Sequence, residues 1–371
     1  MFLINDIDSN HELKNTLIRL VRNNHFPNSS IILGNEGDDK LRLAYGLAGL
    51  LLCTNPSEAG SCGSCKHCSK VRSFSHPDIH FTFPFVGEKN EVCDDFVLDW
   101  IKLVKTNPFI NVFEWNKVSN KEKKQPNISV AECHQIIRKL NLTPLESKRK
   151  VHIVWMAEYL TKEGNRLLKI LEEPPLDTYI ILVAEDTTKI LSTILSRCQL
   201  FKVLPMSAAA ATQLLVDHYA VNPKLAREQA AMAEGNMMEA INLSSDEETE
   251  KNYLFVEWLR LCFAMRRTEL LQWAERFAAL SRESQKYVLK FGIYFLKEII
   301  KIKYGGAQMK SNLSLDMLDS GRKLIPYLDL ASFQELVKIL EQEIYYIERN
   351  CNARIQLFAI SSQVNKIFVK N

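Results

Sequence analysis

The first half of the chain alternates short apolar runs with stretches whose apolar residues recur every three or four positions. Runs at residues 30–33, 79–84, 151–156, 179–184 and 200–204 predict strands, several of them unbroken in Ile, Val and Leu, as strands buried on both faces are. Helical spacing predicts helices at 39–53 directly after the first strand, at 130–140 behind a capping Ser129, and at 162–171, ended by Pro174 and Pro175. Strand and helix in alternation is the pattern of a parallel sheet covered by helices, so residues 1–205 read as an α/β domain. The stretch 86–127, with Trp100, Trp115 and the run KVSNKEKKQP, reads as an insertion made of a short helix and a solvated loop.

After Pro205 the pattern turns wholly helical. Ser207 can cap an alanine-rich helix, Asn222 with Pro223 opens another, and Gly235 with Asn236 sets off a third, which gives a small helical domain at 206–245. The acidic run SSDEETEK at 244–251 reads as a linker. Beyond it, residues 250–371 carry stripes such as Leu254, Trp258, Leu261 and Cys262, or Phe291, Tyr294, Phe295 and Ile299, spaced as in helices packed into a bundle. With 371 residues, 46% of them hydrophobic, the chain has material for two or three such cores.

Charge narrows the partners. Lys and Arg number 47 against 44 Asp and Glu, and a net +3 is too small to draw the whole surface to DNA or membrane, so any nucleic-acid contact is local. No apolar stretch reaches the roughly 18 residues of a membrane span, and the opening MFLINDIDSNHELK lacks the basic and apolar regions of a signal peptide. The expectation is a cytoplasmic protein.

Nine cysteines are too few for a disulfide scaffold, yet four of them crowd together as C-x8-C-x2-C-x2-C at Cys53, Cys62, Cys65 and Cys68. Gly60 and Gly63 allow the backbone between them to turn four sulfurs toward one point. Four thiolates suit tetrahedral zinc, and a site so filled has no open position for an activated water, so the metal is expected to be structural. Cys93, Cys133, Cys262 and Cys351 lack such partners and read as core or surface thiols.

A second motif stands where a phosphate-binding loop belongs, between the first strand and its helix. The sequence GNEGDDKL begins at Gly34, has a second glycine at Gly37 and keeps Lys40, but Asp39 and Leu41 replace the glycine before the lysine and the hydroxyl after it that would hold magnesium. Asp38 and Asp39 bring carboxylates toward the phosphates, and a like charge at about 4 Å costs about 4 kcal/mol at an effective dielectric near 20. The strand at 151–156 then ends in Trp155 and Met156, where an ATPase of this plan needs acids for the metal and the attacking water. The loop reads as vestigial and the chain as one that does not bind ATP.

The order of the cysteine cluster, SHPD at 75–78, LTPLESKRKVHIVWMAEYLTKEGNRLLKILEEPP ending at Pro175, and ILSRC ending at Cys198 resembles the delta-prime subunits of the bacterial DNA polymerase III clamp loader over residues 12–205. The resemblance implies an AAA+ P-loop NTPase-like parallel sheet domain, a small helical lid domain, and an all-α collar domain through which five subunits form an open ring. It implies a place beside ATP-binding gamma/tau-type motor subunits and delta, in an assembly that opens the sliding clamp and loads it on primed DNA as part of a DNA-directed DNA polymerase, a nucleotidyltransferase. It also implies that Arg197 of the SRC motif reaches ATP held by a neighbour as an arginine finger, a task that suits an always-charged guanidinium able to bind two phosphate oxygens. Ser196 and Cys198 would position that loop. Ala184 and Glu185 occupy the place of a polar sensor, and Met238 the place of a lid arginine, so the resemblance points to a non-hydrolysing stator.

Two other readings fit parts of the chain. A self-sufficient ATPase would need the loop to work without its hydroxyl or paired acids. A zinc-containing DNA-binding protein would use Lys66, His67, Lys70 and Arg72 around the cysteines, although basic residues without interleaved aromatics are a weak nucleic-acid pattern.

Overall fold

The structure, a computed structural model, describes residues 2–87, 91–118, 125–242, 248–305, 311, 313, 315–349, 351 and 353–370. The chain divides into two compact units, one of Met1–Ala210 with Glu234–Glu239 and one of Ala211–Ala233 with Ala240–Asn371.

The first unit opens with a short 3-10 helix, Ile4–Asp6, and α1 (His11–Arg22). Strand β1 (Ser29–Leu33) leads into α2 (Lys40–Leu52) and α3 (Lys66–Arg72), then β2 (Ile79–Thr82). The insertion supplies α4 (Val97–Thr106) and α5 (Val112–Val118), followed by α6 (Val130–Asn141), β3 (Lys150–Trp155), α7 (Leu168–Glu172), β4 (Thr178–Ala184), α8 (Ser192–Leu195) and β5 (Gln199–Lys202). All strand pairs are parallel, in the order β2-β3-β4-β1-β5. The five expected strands are all present, each within two residues of its expected ends. Their unbroken apolar runs are explained by helices on both faces: one core gathers α1 to α5, the other α6, α7 and α8. Helix α2 is buried along its whole length, which accounts for its apolar residues on every side.

The insertion is more ordered than a short helix and loop. Trp100 stacks on Phe83 at 5.0 Å between ring centres, and the indole N–H of Trp115 donates to the Pro84 carbonyl at 2.9 Å, so two helices cover the outer strand β2. Much of the run KVSNKEKKQP lies outside the described residues. The helix expected at 162–171 is also different. A 3-10 run, Ala157–Leu167, broken at Thr161, precedes the single α-turn of α7, and it turns Leu160 and Leu167 into the core.

Beyond β5 come α9 (Ala208–Tyr219), α10 (Pro223–Met232) and α11 (Met237–Asn242), with Ser207 accepting from the Ala210 N–H and Asn222 from the Lys224 N–H. The second unit continues with α12 (Glu248–Ala264), α13 (Arg267–Ala278), α14 (Arg282–Gly305), α15 (Leu315–Arg322), α16 (Leu330–Glu348) and α17 (Ala353–Lys370). Of the linker expected at 244–251, residues 248–251 instead begin α12, since acidic residues suit the positive end of a helix dipole. Residues 243–247 lie outside the described set. In this bundle Trp258 and Trp273 stack at 5.8 Å, and the Trp258 indole donates to Ser361 Oγ at 2.9 Å, tying α12 to α13 and α17. Among the described residues no helix is long and apolar enough to cross a membrane.

Candidate metal centre and a filled phosphate loop

The sequence brings the four cysteines to the end of α2 and the start of α3. Cys53 is the C-terminal cap of α2, Cys65 the N-cap of α3, Cys68 lies one turn into α3, and Cys62 hangs from the loop between. Their sulfurs all lie within 4.8 Å of one another, with Cys62 and Cys68 3.9 Å apart. A tetrahedron with metal–sulfur bonds of about 2.3 Å has edges of about 3.8 Å, so the group could hold a metal ion. The backbone supports thiolate charge. The N–H of Cys62 donates to Cys53 Sγ at 3.3 Å, that of Cys65 to Cys62 Sγ at 3.4 Å and that of Cys68 to Cys65 Sγ at 3.4 Å. Gly60 at φ +120° and Gly63 at φ +75° make the turns between them, conformations that side chains resist.

The SHPD segment braces this module. The Asp78 N–H donates to His76 Nδ1 at 3.1 Å, leaving His76 Nε2 to donate to His67 Nδ1 on α3 at 2.7 Å. Burial, with His67 beside it, pushes His76 down to about 4, so it is neutral at ordinary pH. The buried Asp78 carboxylate accepts from the N–H groups of Leu145, Glu146 and Ser147 at 2.5, 3.0 and 2.8 Å. Those donors outweigh the cost of burial and hold Asp78 below the usual carboxylate range. Lys70 on α3 pairs with Glu146 at 2.5 Å, and Arg72 donates to the Gly63 carbonyl at 3.3 Å. Of the four basic positions considered for nucleic acid, His67 is buried and Lys70 and Arg72 make these internal contacts, while Lys66 is exposed.

The loop after β1 holds its own charges. Lys40 is almost fully buried; its Nζ donates to the Asn35 carbonyl at 2.7 Å and lies 2.9 Å from Glu185 Oε1 and 3.6 Å from Asp38 Oδ1. The Asp38 carboxylate folds over Gly34, where a Cβ would collide with it, and accepts from the Lys40 N–H at 3.0 Å. Burial raises Asp38 to about 6, against the pull of Lys40. Asp39, expected to face the phosphates as well, instead turns away: it pairs with Arg42 at 2.8 Å and accepts from Ser9 Oγ, both within the core. Gly37 accepts from the Met237 N–H at 2.8 Å and lies under the Asn236 side chain, so residues 236–238 cover the loop. Trp155 is buried, Met156 leaves β3 at φ +57°, and the adjoining Glu158 carboxylate accepts from the Glu185 N–H at 3.0 Å.

Arg197 follows α8. Its Nε donates to Glu172 at 3.0 Å and its Nη1 to the Thr193 carbonyl at 3.0 Å, with about a third of the side chain exposed. Burial pushes the Cys198 thiol up to about 12, which removes it as a nucleophile. Sequence reasoning missed Glu185 as the partner of Lys40, Asp78 as the anchor of a distant loop, and Asn5, whose side chain meets the cysteine loop at Ser61.

The strand order and the loop between β1 and α2 define a P-loop NTPase-like module of the AAA+ type. The family described as DNA polymerase III, delta subunit, matches residues 9–207, more than half of the chain, and the chain belongs to it. It is 28% identical over 243 residues to the DNA polymerase III subunit delta' of Bacillus subtilis, a match covering 64% of this chain and 61% of that protein. It is 27% identical over 284 residues to the delta' subunit of Escherichia coli, covering 75% of this chain and 70% of that one. The chain thus spans less than two thirds of the length of the Bacillus subtilis relative. Among solved structures, a DNA polymerase III gamma subunit-related protein of Thermotoga maritima aligns over 95% of this chain and 98% of its own, at 16% identity and a TM-score of 0.33.

Proposed function

We propose that the chain is a clamp-loader subunit of the DNA polymerase III holoenzyme that acts as a stator. It assembles with ATP-binding gamma/tau-type motor subunits and with delta, without polymerase or ATPase activity of its own, and takes part in loading the sliding clamp on primed DNA in the cytoplasm. The observation that carries the stator reading, given the family, is Lys40. A lysine that would grip phosphates is already neutralised by Asp38 and Glu185, and a nucleotide would have to displace both from a buried site. The domain plan that goes with this function is the α/β domain at 1–205, a lid at 206–245 and a collar for ring assembly at 250–371.

Arg197 is the residue through which the stator acts on chemistry. Lent to ATP on the neighbouring subunit, its guanidinium would stabilise charge on the transferring phosphoryl group, a contribution of about 10³ to 10⁵ in rate for fingers supplied in trans. Its exposure and its position in the SRC motif support that role. Zinc is the metal we assign to Cys53, Cys62, Cys65 and Cys68. Four soft thiolates in a full tetrahedron match its structural sites, and the ion would fix the end of α2 against the start of α3.

The test is to mix the purified chain with gamma/tau and delta subunits and measure mass by light scattering. A stoichiometric complex whose clamp-dependent ATP turnover needs this chain supports the reading; failure to assemble overturns it.

A further inference from the structure

Three of the four cysteines are positioned by helices, and Cys62 is not. Beyond the hydrogen bonds it shares with Cys53 and Cys65, what fixes it comes from the start of the chain. Asn5 Nδ2 donates to the Ser61 carbonyl at 3.1 Å, and the Ser61 N–H donates back to Asn5 Oδ1 at 2.8 Å. This two-point pairing grips the peptide just before Cys62, whereas a single hydrogen bond would leave it free to rotate. Asn5 is itself exposed, but Ser61 is buried, and the backbone there has no slack: a Cβ on Gly60 would lie 2.6 Å from Asn5 Oδ1 and 2.8 Å from Ile4 Cγ2.

The 3-10 helix that carries Asn5 is in turn seated on α2. Gly46 lets it approach so closely that a Cβ at 46 would stand 2.9 Å from the Ile4 nitrogen. Leu3 and Ile4 are fully buried in the same core as α2. Helix α2 therefore sets two ligands. It holds Cys53 directly at its C-terminal end, and it holds Cys62 through Ile4, Asn5 and Ser61.

We infer that Asn5 is a positioning residue for the metal centre, one that keeps Cys62 aimed at the ion without touching it. The inference rests on the zinc reading above. Hydrogen-bonded neighbours of metal ligands commonly matter about 10- to 100-fold in affinity, and a residue one peptide removed, with water able to replace its hydrogen bonds, is expected at the lower end. Arg72, which reaches the loop only at the Gly63 carbonyl and at 3.3 Å, is the control, with a smaller effect.

The experiment measures release of zinc from the full chain to a chromogenic chelator, together with the thiolate-to-metal absorption of the cobalt-substituted chain. Asn5→Ala is expected to release zinc roughly tenfold faster, with a changed cobalt spectrum and nearly unchanged far-ultraviolet circular dichroism. Asn5→Asp, which keeps the acceptor for the Ser61 N–H and loses the donor, should fall between. Wild-type rates and spectra in Asn5→Ala overturn the inference and leave the zinc reading intact, as does a metal-free chain destabilised by Asn5→Ala as much as the zinc-bound chain. Absence of bound zinc in the native chain overturns the zinc reading itself and the inference with it.

Discussion

Lys40 Nζ lies 2.9 Å from a carboxylate oxygen of Glu185, an ion pair that joins the start of α2 to the residue just past β4. With Asp38 at 3.6 Å on its other side, the lysine has no charge to spare. Calorimetric titration of the isolated chain with magnesium and ATP is expected to show no tight binding. Micromolar binding that disappears in Lys40→Ala would instead restore the reading of a working ATPase.

The cysteine cluster is expected to carry close to one equivalent of zinc by elemental analysis. Cys62→Ser and Cys65→Ser should each lose most of it. In hydrogen exchange, metal loss should loosen residues 53–78 well before the helices of the second unit.

Arg197→Ala should leave the chain's own melting temperature nearly unchanged, because the Glu172 contact is a partly exposed pair of the kind worth about 0–1 kcal/mol. On the proposed finger role, ring assembly should also persist while clamp-stimulated ATP turnover of the assembled loader falls at one site. Lysine should rescue poorly, since it lacks the planar two-pronged donor geometry. Normal clamp loading by the alanine variant would return Arg197 to a structural salt bridge.

Asp78→Ala strips three backbone N–H groups of their acceptor at once. Buried charged hydrogen bonds of this sort make a loss of about 2–4 kcal/mol in urea denaturation the expected outcome. The amides of Leu145, Glu146 and Ser147 should lose exchange protection first. Because Asp78 sits below its ordinary value in the folded chain, its contribution is present above about pH 4 and fades as pH falls through its folded value.

Glu343 on α16 has the opposite sign. It is buried, one carboxylate oxygen has no hydrogen-bond partner among the described residues, and burial raises it to about 7. The unfolded chain gives up this proton at lower pH than the folded one, so stability is full below about pH 4.5 and is lost as pH rises through about 7. Between pH 5 and pH 8 the loss amounts to about 2 kcal/mol. Glu343→Gln should flatten the pH profile of thermal unfolding over that interval, and an unaltered profile would show that another group is responsible.

Much of the sheet was legible because strands buried on both faces cannot hide their apolar runs, as Ile31, Ile153 and Leu182 illustrate. The cysteine cluster was legible because local spacing alone nearly fixes its geometry. The two helices of the insertion were harder to see, since both are short and the burial of Trp100 and Trp115 depends on the distant Phe83 and Pro84. The partnership of Lys40 with Glu185 leaves no local pattern at all: Glu185 becomes a counter-charge only when β4 lies beside β1. Asn5 is hidden for the same reason, because an asparagine near the start of a chain has no periodicity to betray it.

The two carboxylates around Lys40 also bear on how the loop could change over time. Removing Asp38 alone leaves a buried lysine leaning on Glu185, removing Glu185 alone leaves it with Asp38 still lying across Gly34, and removing Lys40 strands two acids in the interior. Losing either acid thus leaves Lys40 paired with the other, and only the loss of Lys40 leaves buried charge without its partner, a cost of about 3–5 kcal/mol. No single replacement of an acid therefore frees the lysine, and a loop able to offer it to phosphate needs both carboxylates replaced together.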